Sequence, residues 1–291
     1  PHILERYPPQ TLRQTAILRL MPHFCAPLIE RMTEQMNQRP LILVSNDDGV
    51  DARGIHALAE GMRLLGDVFV MAPDGPRSGM SSAITTTQPI TYRVLSEAEG
   101  MTICSCSGTP TDCVKLAVSE VLDRKPDLLV SGVNHGGNEA LSVHYSGTIG
   151  AAIEGCVLDI PSLGVSLVHY RSEADFSEAV RLAQRVAKDL LRNGLPHGTY
   201  LNLNVPNTPH VKGLTICRQA DGRWIREFDR VSTPDGSPAF RMTGEYLNYP
   251  PIQPDNDTQR LSEGWATIVP CLLDVTHHAF MNELKSRGLD D

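Results

Sequence analysis

Residues 41–50 read Leu41-Ile42-Leu43-Val44-Ser45-Asn46-Asp47-Asp48-Gly49-Val50. The apolar run has strand length and no polar alternation, as a strand buried on both faces of a parallel sheet requires. It stops abruptly at four polar or flexible residues. Downstream, Ile55, Leu58, Ala59, Met62 and Leu65 recur at helical spacing, so the strand is followed by a helix. Val68–Met71 then reads as a second strand, ending at Ala72-Pro73-Asp74. A strand, a helix and a strand in that order define a βα unit with a right-handed crossover.

The alternation continues. Short strands are expected near 84–95 and 101–105, a helix at about 111–122, and a strand at Leu128–Val130 that ends in Ser131-Gly132-Val133-Asn134. Thr148–Leu158 reads as a helix rich in small residues, Leu163–Val168 as a strand, 173–193 as a long amphipathic helix and Tyr200–Val205 as a strand. Strands alternating with helices of this length predict an α/β fold with an open, mostly parallel sheet. After Pro206, Pro and Gly accumulate between 233 and 254. The strand-like pieces Leu214–Cys217, Trp224–Phe228 and Ala266–Val269 suggest hairpins. The chain therefore divides into an N-terminal extension at 1–38, a Rossmann-like core at 39–205, expected to carry any catalytic site, and a C-terminal hairpin extension of the same domain at 206–291, expected to serve oligomerisation. Residues 1–38 lack serine and contain three glutamates, which disfavours a transit peptide.

The chain has 291 residues, 41% hydrophobic and 21% charged, a composition that supports a large buried core. Lys plus Arg number 26 against 34 Asp plus Glu, so the net charge is -8. That balance excludes the basic footprint of a protein built to hold polymeric nucleic acid. Seven cysteines, an odd number with no Cys-x-x-Cys, sit in apolar runs and read as reduced thiols. No apolar stretch reaches membrane-spanning length. The expectation is a soluble, cytoplasmic protein with no membrane partner.

In open α/β sheets ligands bind outside the carboxyl ends of the strands. Three expected strand ends carry polar clusters: Asn46-Asp47-Asp48-Gly49, Asp74 through Ser78-Gly79, and Asn134-His135-Gly136-Gly137-Asn138. Asp47 and Asp48 would point to opposite faces of an ideal strand, but a turn at Gly49 lets both carboxylates converge. Two such charges repel unless a cation lies between them. With Ser78 and Asn134 they make an all-oxygen set suited to a hard ion such as Mg2+ or Mn2+.

These clusters, together with Gly108-Thr109-Pro110-Thr111-Asp112-Cys113-Val114 and Tyr145-Ser146-Gly147-Thr148, occur in the order seen in the SurE (survival protein E) family, which the chain resembles from about 41 to 275. The resemblance implies a Rossmann-like three-layer sandwich with a C-terminal β-hairpin extension. It also implies a metal-dependent phosphatase acting on nucleoside 5′- and 3′-monophosphates, with one divalent ion per subunit in a homodimer or homotetramer. It assigns Asp47, Asp48, Ser78 and Asn134 to the metal, and Asn138, Ser146, Gly147 and Thr148 to the substrate phosphate. Asp47 or Asp48 would take the proton from an attacking water. The chain departs from the family at Glu139-Ala140, where Leu-Gly is usual, and at Ser142, where Asp is usual. Glu139 either faces the phosphate or points to solvent.

Other readings compete. Asn46-Asp47-Asp48-Gly49-Val50 is similar to the haloacid dehalogenase motif, but Asn46 fills the slot of the nucleophilic Asp and its amide cannot attack. Cys217 and Arg223 have the spacing of a tyrosine phosphatase loop, but Ile216 precedes the Cys and the loop holds one Gly, which favours a structural Cys. Neither a Gly-x-Gly-x-x-Gly nor a Gly-Lys occurs. A catalytically silent, metal-dependent nucleotide-binding protein is the alternative from outside enzymology. His135 is the candidate proton donor among the histidines.

Overall fold

A computed structural model of the chain describes residues 38–169 and 173–289. The N-terminal extension expected at 1–38 therefore lies, but for its last residue, outside the described residues. The elements of the core are β1 (Leu41–Ser45), α1 (Arg53–Met62), β2 (Asp67–Pro73), β3 (Tyr92–Ala98), β4 (Met101–Cys106), α2 (Pro110–Leu116), β5 (Leu128–His135), α3 (Gly147–Val157), β6 (Ser162–Val168), α4 (Ser177–Asn193) and β7 (Thr199–Pro206). Six strands, β4, β2, β1, β5, β6 and β7, lie side by side and parallel, and β3 folds back antiparallel on β4. Helices α1 and α4 cover one face and α2 and α3 the other, each over its own apolar cluster. This is the expected three-layer α/β sandwich.

Local sequence explains the helices. In α4 the residues Ala179, Leu182, Ala183, Val186, Ala187 and Leu190 repeat every three or four positions and are all buried. The expected start at 173 moves to Ser177, whose N–H is held by the Asp175 carboxylate at 2.9 Å. In α2, Thr109 and Asp112 form a reciprocal capping box with Pro110 in the first turn. This helix stops at Leu116 and continues as a π-helical turn, Ala117–Val121, within the span expected to be one helix.

The C-terminal part departs from the expected set of hairpins. Two small antiparallel ladders do form, β9 (Gly222–Ile225) with β12 (Glu245–Asn248), and β10 (Phe228–Val231) with β11 (Ala239–Met242). The other two pieces, β8 (Leu214–Ile216) and β13 (Ala266–Leu272), instead extend the main sheet. β13 lies antiparallel to β7, and β8 lies parallel to β13. The alanine and valine of β13 are buried and cover the flank of β7 that would otherwise be an open edge. Helices α5 (Asp257–Ser262) and α6 (His278–Ser286) complete the described chain.

Candidate active site

At the end of β1 the Asn46 side-chain amide donates to the carbonyl of Gly49 at 2.9 Å and closes the turn. Gly49 has a φ of +97°, a conformation that an L side chain adopts only with strain. This turn aims Asp47 and Asp48 at the same cavity. The cavity measures about 580 Å3, and six of the eight residues singled out as ligands line it: Asp47, Asp48, Ser78, Asn134, Asn138 and Ser146. They come from β1, the loop after β2, β5 and the cap of α3, all at the carboxyl side of the parallel strands.

The two remaining residues sit behind the wall. Thr148 is fully buried, and its hydroxyl donates to Asp47 Oδ1 at 2.5 Å. The Gly147 N–H donates to Asp47 Oδ2 at 3.2 Å. A side chain at Gly147 would place its Cβ 2.8 Å from that of Asp47, which explains the glycine there. Gly147 and Thr148 thus orient Asp47 from behind the cavity wall.

Burial is the main cause that raises the Asp47 carboxyl above the usual range, and the Asp48 charge beside it adds to the rise. Asp48 is raised by burial too, opposed by the His135 N–H, which donates to its Oδ2 at 3.0 Å. No lysine or arginine among the described residues forms an ion pair with either carboxylate. Asn134 spends its amide N–H on the Gly136 carbonyl at 2.8 Å, which turns its oxygen free for another partner. Two crowded carboxylates, one amide oxygen and one hydroxyl fit a hard divalent cation.

Ser146 caps α3 by accepting from the Ile149 N–H at 3.1 Å, so its own hydroxyl proton can be given to an anion. Asn138 is knit into a buried amide network. Its N–H donates to Asn204 Oδ1, its side-chain amide to Ser166 Oγ, and its carbonyl accepts from Asn202. One side-chain N–H remains for a ligand. The His135 ring packs against His169 and Phe176, with centroids 5.9 and 6.0 Å away.

Glu139 takes neither of the two expected directions. It lines a separate cavity with Asn207, Thr258 and Glu263, and its Oε2 is buried without a hydrogen-bond partner. Burial raises its carboxyl, with Asp257 adding like charge. The next residue, Ala140, has a φ of +51°, which accounts for the glycine usual there in the family. Asn46 is buried and does not line the cavity, so the dehalogenase comparison has no nucleophile in place. Cys217 is buried, and burial raises its thiol.

The cavity also holds residues that no local pattern indicated. Trp224, Glu227, Met242 and Thr243 reach it from the β9–β12 region, and Tyr145 and Ser142 flank Ser146. The only signal for the first group was that Trp224 is one of two tryptophans in the chain.

A three-layer α/β sheet with an oxygen-rich cleft across the carboxyl ends of β1, β2 and β5 defines a class of proteins that hold small anionic ligands at their strand ends. Residues 42–226 match the family described as Survival protein SurE. A 5′-nucleotidase SurE of Bacteroides fragilis is 49% identical over 250 residues, covering 86% of this chain and 98% of that protein. One from Phocaeicola vulgatus is 47% identical over 253 residues, covering 87% and 98%. The crystal structure of the Sure protein from Aquifex aeolicus superposes with a TM-score of 0.73 at 33% identity, covering 86% of this chain and all of that one. The chain belongs to the SurE family.

Proposed function

We propose that the protein is a phosphomonoesterase that hydrolyses nucleoside 5′-monophosphates, and 3′-monophosphates at the same site, to nucleoside and phosphate. The observation that carries this reading is the convergence of Asp47, Asp48, Ser78 and Asn134 in one cavity beside the hydroxyl of Ser146. The relatives named 5′-nucleotidase SurE support it. Those four residues would hold one Mg2+ or Mn2+ per subunit. When bound, the ion would supply Lewis-acid charge to the phosphoryl group and would lower the pKa of water.

The chain's own groups do the rest. Asp47 has both oxygens committed to Thr148 and Gly147, so it is a rigid ligand. Asp48 uses only Oδ2, on His135, which leaves its Oδ1 to accept a proton from an attacking water. Ser146 and the remaining N–H of Asn138 hold phosphate oxygens, and the N-terminus of α3 favours negative charge there.

We assign the protein to the cytoplasm as a homodimer or homotetramer. The composition supports the first assignment, and no described helix is long and apolar enough to cross a membrane. The test is phosphate release from a nucleotide panel, with and without EDTA. Hydrolysis that EDTA abolishes, Mn2+ restores and Asp47→Ala reduces to background is the expected result. Saturable nucleotide binding without phosphate release would favour the silent binding protein instead.

A further inference from the structure

The cavity has two chemically different walls. The strand-end wall is oxygen-rich, as described. The opposite wall comes from the C-terminal hairpins and presents Trp224, Met242, Glu227 and Thr243, with Tyr145 beside Ser146 completing it. Trp224 is half-buried and held from behind. Its ring meets Tyr246 edge-on at 5.7 Å, and the Tyr246 hydroxyl donates to the Ala220 carbonyl at 3.2 Å. The turn that carries Glu227 is closed by the Thr243 N–H, which donates to the Glu227 carbonyl at 2.8 Å. The Glu227 side chain is exposed at the rim. A phosphate has no use for an indole or a thioether. A flat heterocycle does, because it stacks on the indole face and brings polar edges to the rim.

We propose that this hairpin wall is a nucleobase subsite, with Trp224 as the stacking platform and Glu227 as the edge reader. The proposal rests on the nucleotidase reading of the same cavity and names the substrate it prefers. A carboxylate only accepts hydrogen bonds. Guanine offers two adjacent donors, its ring N–H and its exocyclic amine, which match the two oxygens of Glu227. Adenine and cytosine offer an amine next to a ring nitrogen that repels a carboxylate. Uracil offers a single N–H between two carbonyls. The order of preference is therefore guanine first and uracil last. A cavity of about 580 Å3 falls in the range of sites that enclose a ligand of this size.

The experiment compares kcat/KM for guanosine monophosphate, uridine monophosphate and ribose 5-phosphate in the wild type, Trp224→Ala, Trp224→Phe and Glu227→Gln. Trp224→Ala should lower the ratio of guanosine monophosphate to ribose 5-phosphate by about tenfold, through KM. Trp224→Phe should restore most of that ratio, which separates loss of stacking from loss of fold. Glu227→Gln should bring the guanine-to-uracil ratio several-fold closer to one. Ratios that stay at wild-type values in Trp224→Ala and Glu227→Gln would overturn the subsite. If none of the three esters is hydrolysed, the nucleotidase reading fails, and quenching of Trp224 fluorescence by nucleosides decides the subsite alone. Stronger quenching by guanosine than by uridine, absent in Trp224→Phe, supports it, and equal or no quenching overturns it.

Discussion

Replacing Thr148 by valine tests whether the residue serves the metal or the phosphate. Valine keeps the branched shape of threonine and deletes only the hydroxyl. That hydroxyl lies 2.5 Å from Asp47 Oδ1, at a position with no solvent exposure, so no water can take its place. A hydrogen bond to a buried charged acceptor contributes about 1.5–3 kcal/mol, equivalent to about 10- to 150-fold in an equilibrium constant. Groups that orient a metal ligand are typically worth about 10- to 100-fold in metal affinity. In Thr148→Val the Mn2+ concentration for half-maximal activity should therefore rise by about one to two decades. At saturating Mn2+ the KM for nucleotide should stay within about twofold of wild type, because the hydroxyl does not reach the cavity. Thr148→Ser retains the donor and should behave like wild type in both respects. Metal titrations at fixed nucleotide and nucleotide titrations at fixed metal give the two numbers. A raised KM with an unchanged metal requirement would refute the reasoning and return Thr148 to the phosphate.

Four further outcomes follow from the structure. Asp257 is buried and accepts from the N–H groups of Ala140, Ala220 and Thr258 at 2.8–2.9 Å, tying the cavity loop to the base of the hairpin. Asp257→Ala should lower the unfolding free energy by about 2–4 kcal/mol, read from urea denaturation. Ala140→Gly relieves a positive φ at the entropic expense of glycine in the unfolded chain, for a net gain of about 0.5–1 kcal/mol in the same assay. The buried Glu139 carboxyl is raised above its ordinary 4.5, so the folded state binds its proton more tightly than the unfolded chain does. Its contribution to stability is present below pH 4.5 and is lost as pH rises through the folded value. Glu139→Gln should flatten that fall and leave KM unchanged, since the side chain lies outside the cavity. With water as the proposed nucleophile, no hydroxylamine-sensitive phosphoprotein on Asp47 and no thiophosphate on Cys217 should accumulate during turnover, as quench-flow with labelled nucleotide would show.

Much of this was readable in the sequence, for a physical reason. A strand buried on both faces must be continuously apolar, and a helix on a sheet must repeat every three or four residues. β1, the central part of β2 and α4 announce themselves in that way, while β7 alternates apolar residues with Asn202 and Asn204. Their alternation leaves few topologies, and every parallel strand then ends on the same side, so Asp47, Asp48, Ser78 and Asn134 had to meet. Local pattern carries no information about strand partners. Leu214–Cys217 and Ala266–Val269 read as strand-like pieces, yet only the pairing of β13 with β7, and of β8 with β13, decides that they extend the main sheet and do not pair as separate hairpins. Side-chain direction is equally a matter of neighbours. Thr148 turns inward because Asp47 accepts its proton, and Glu139 turns from the cavity toward the side of the fold held by Asp257. Trp224 reaches the site across more than seventy residues of chain from Ser146, a contact that exists only once the hairpins are folded. Chemistry at the strand ends was set by composition and period, whereas orientation within the site and the wall opposite it were set by tertiary packing.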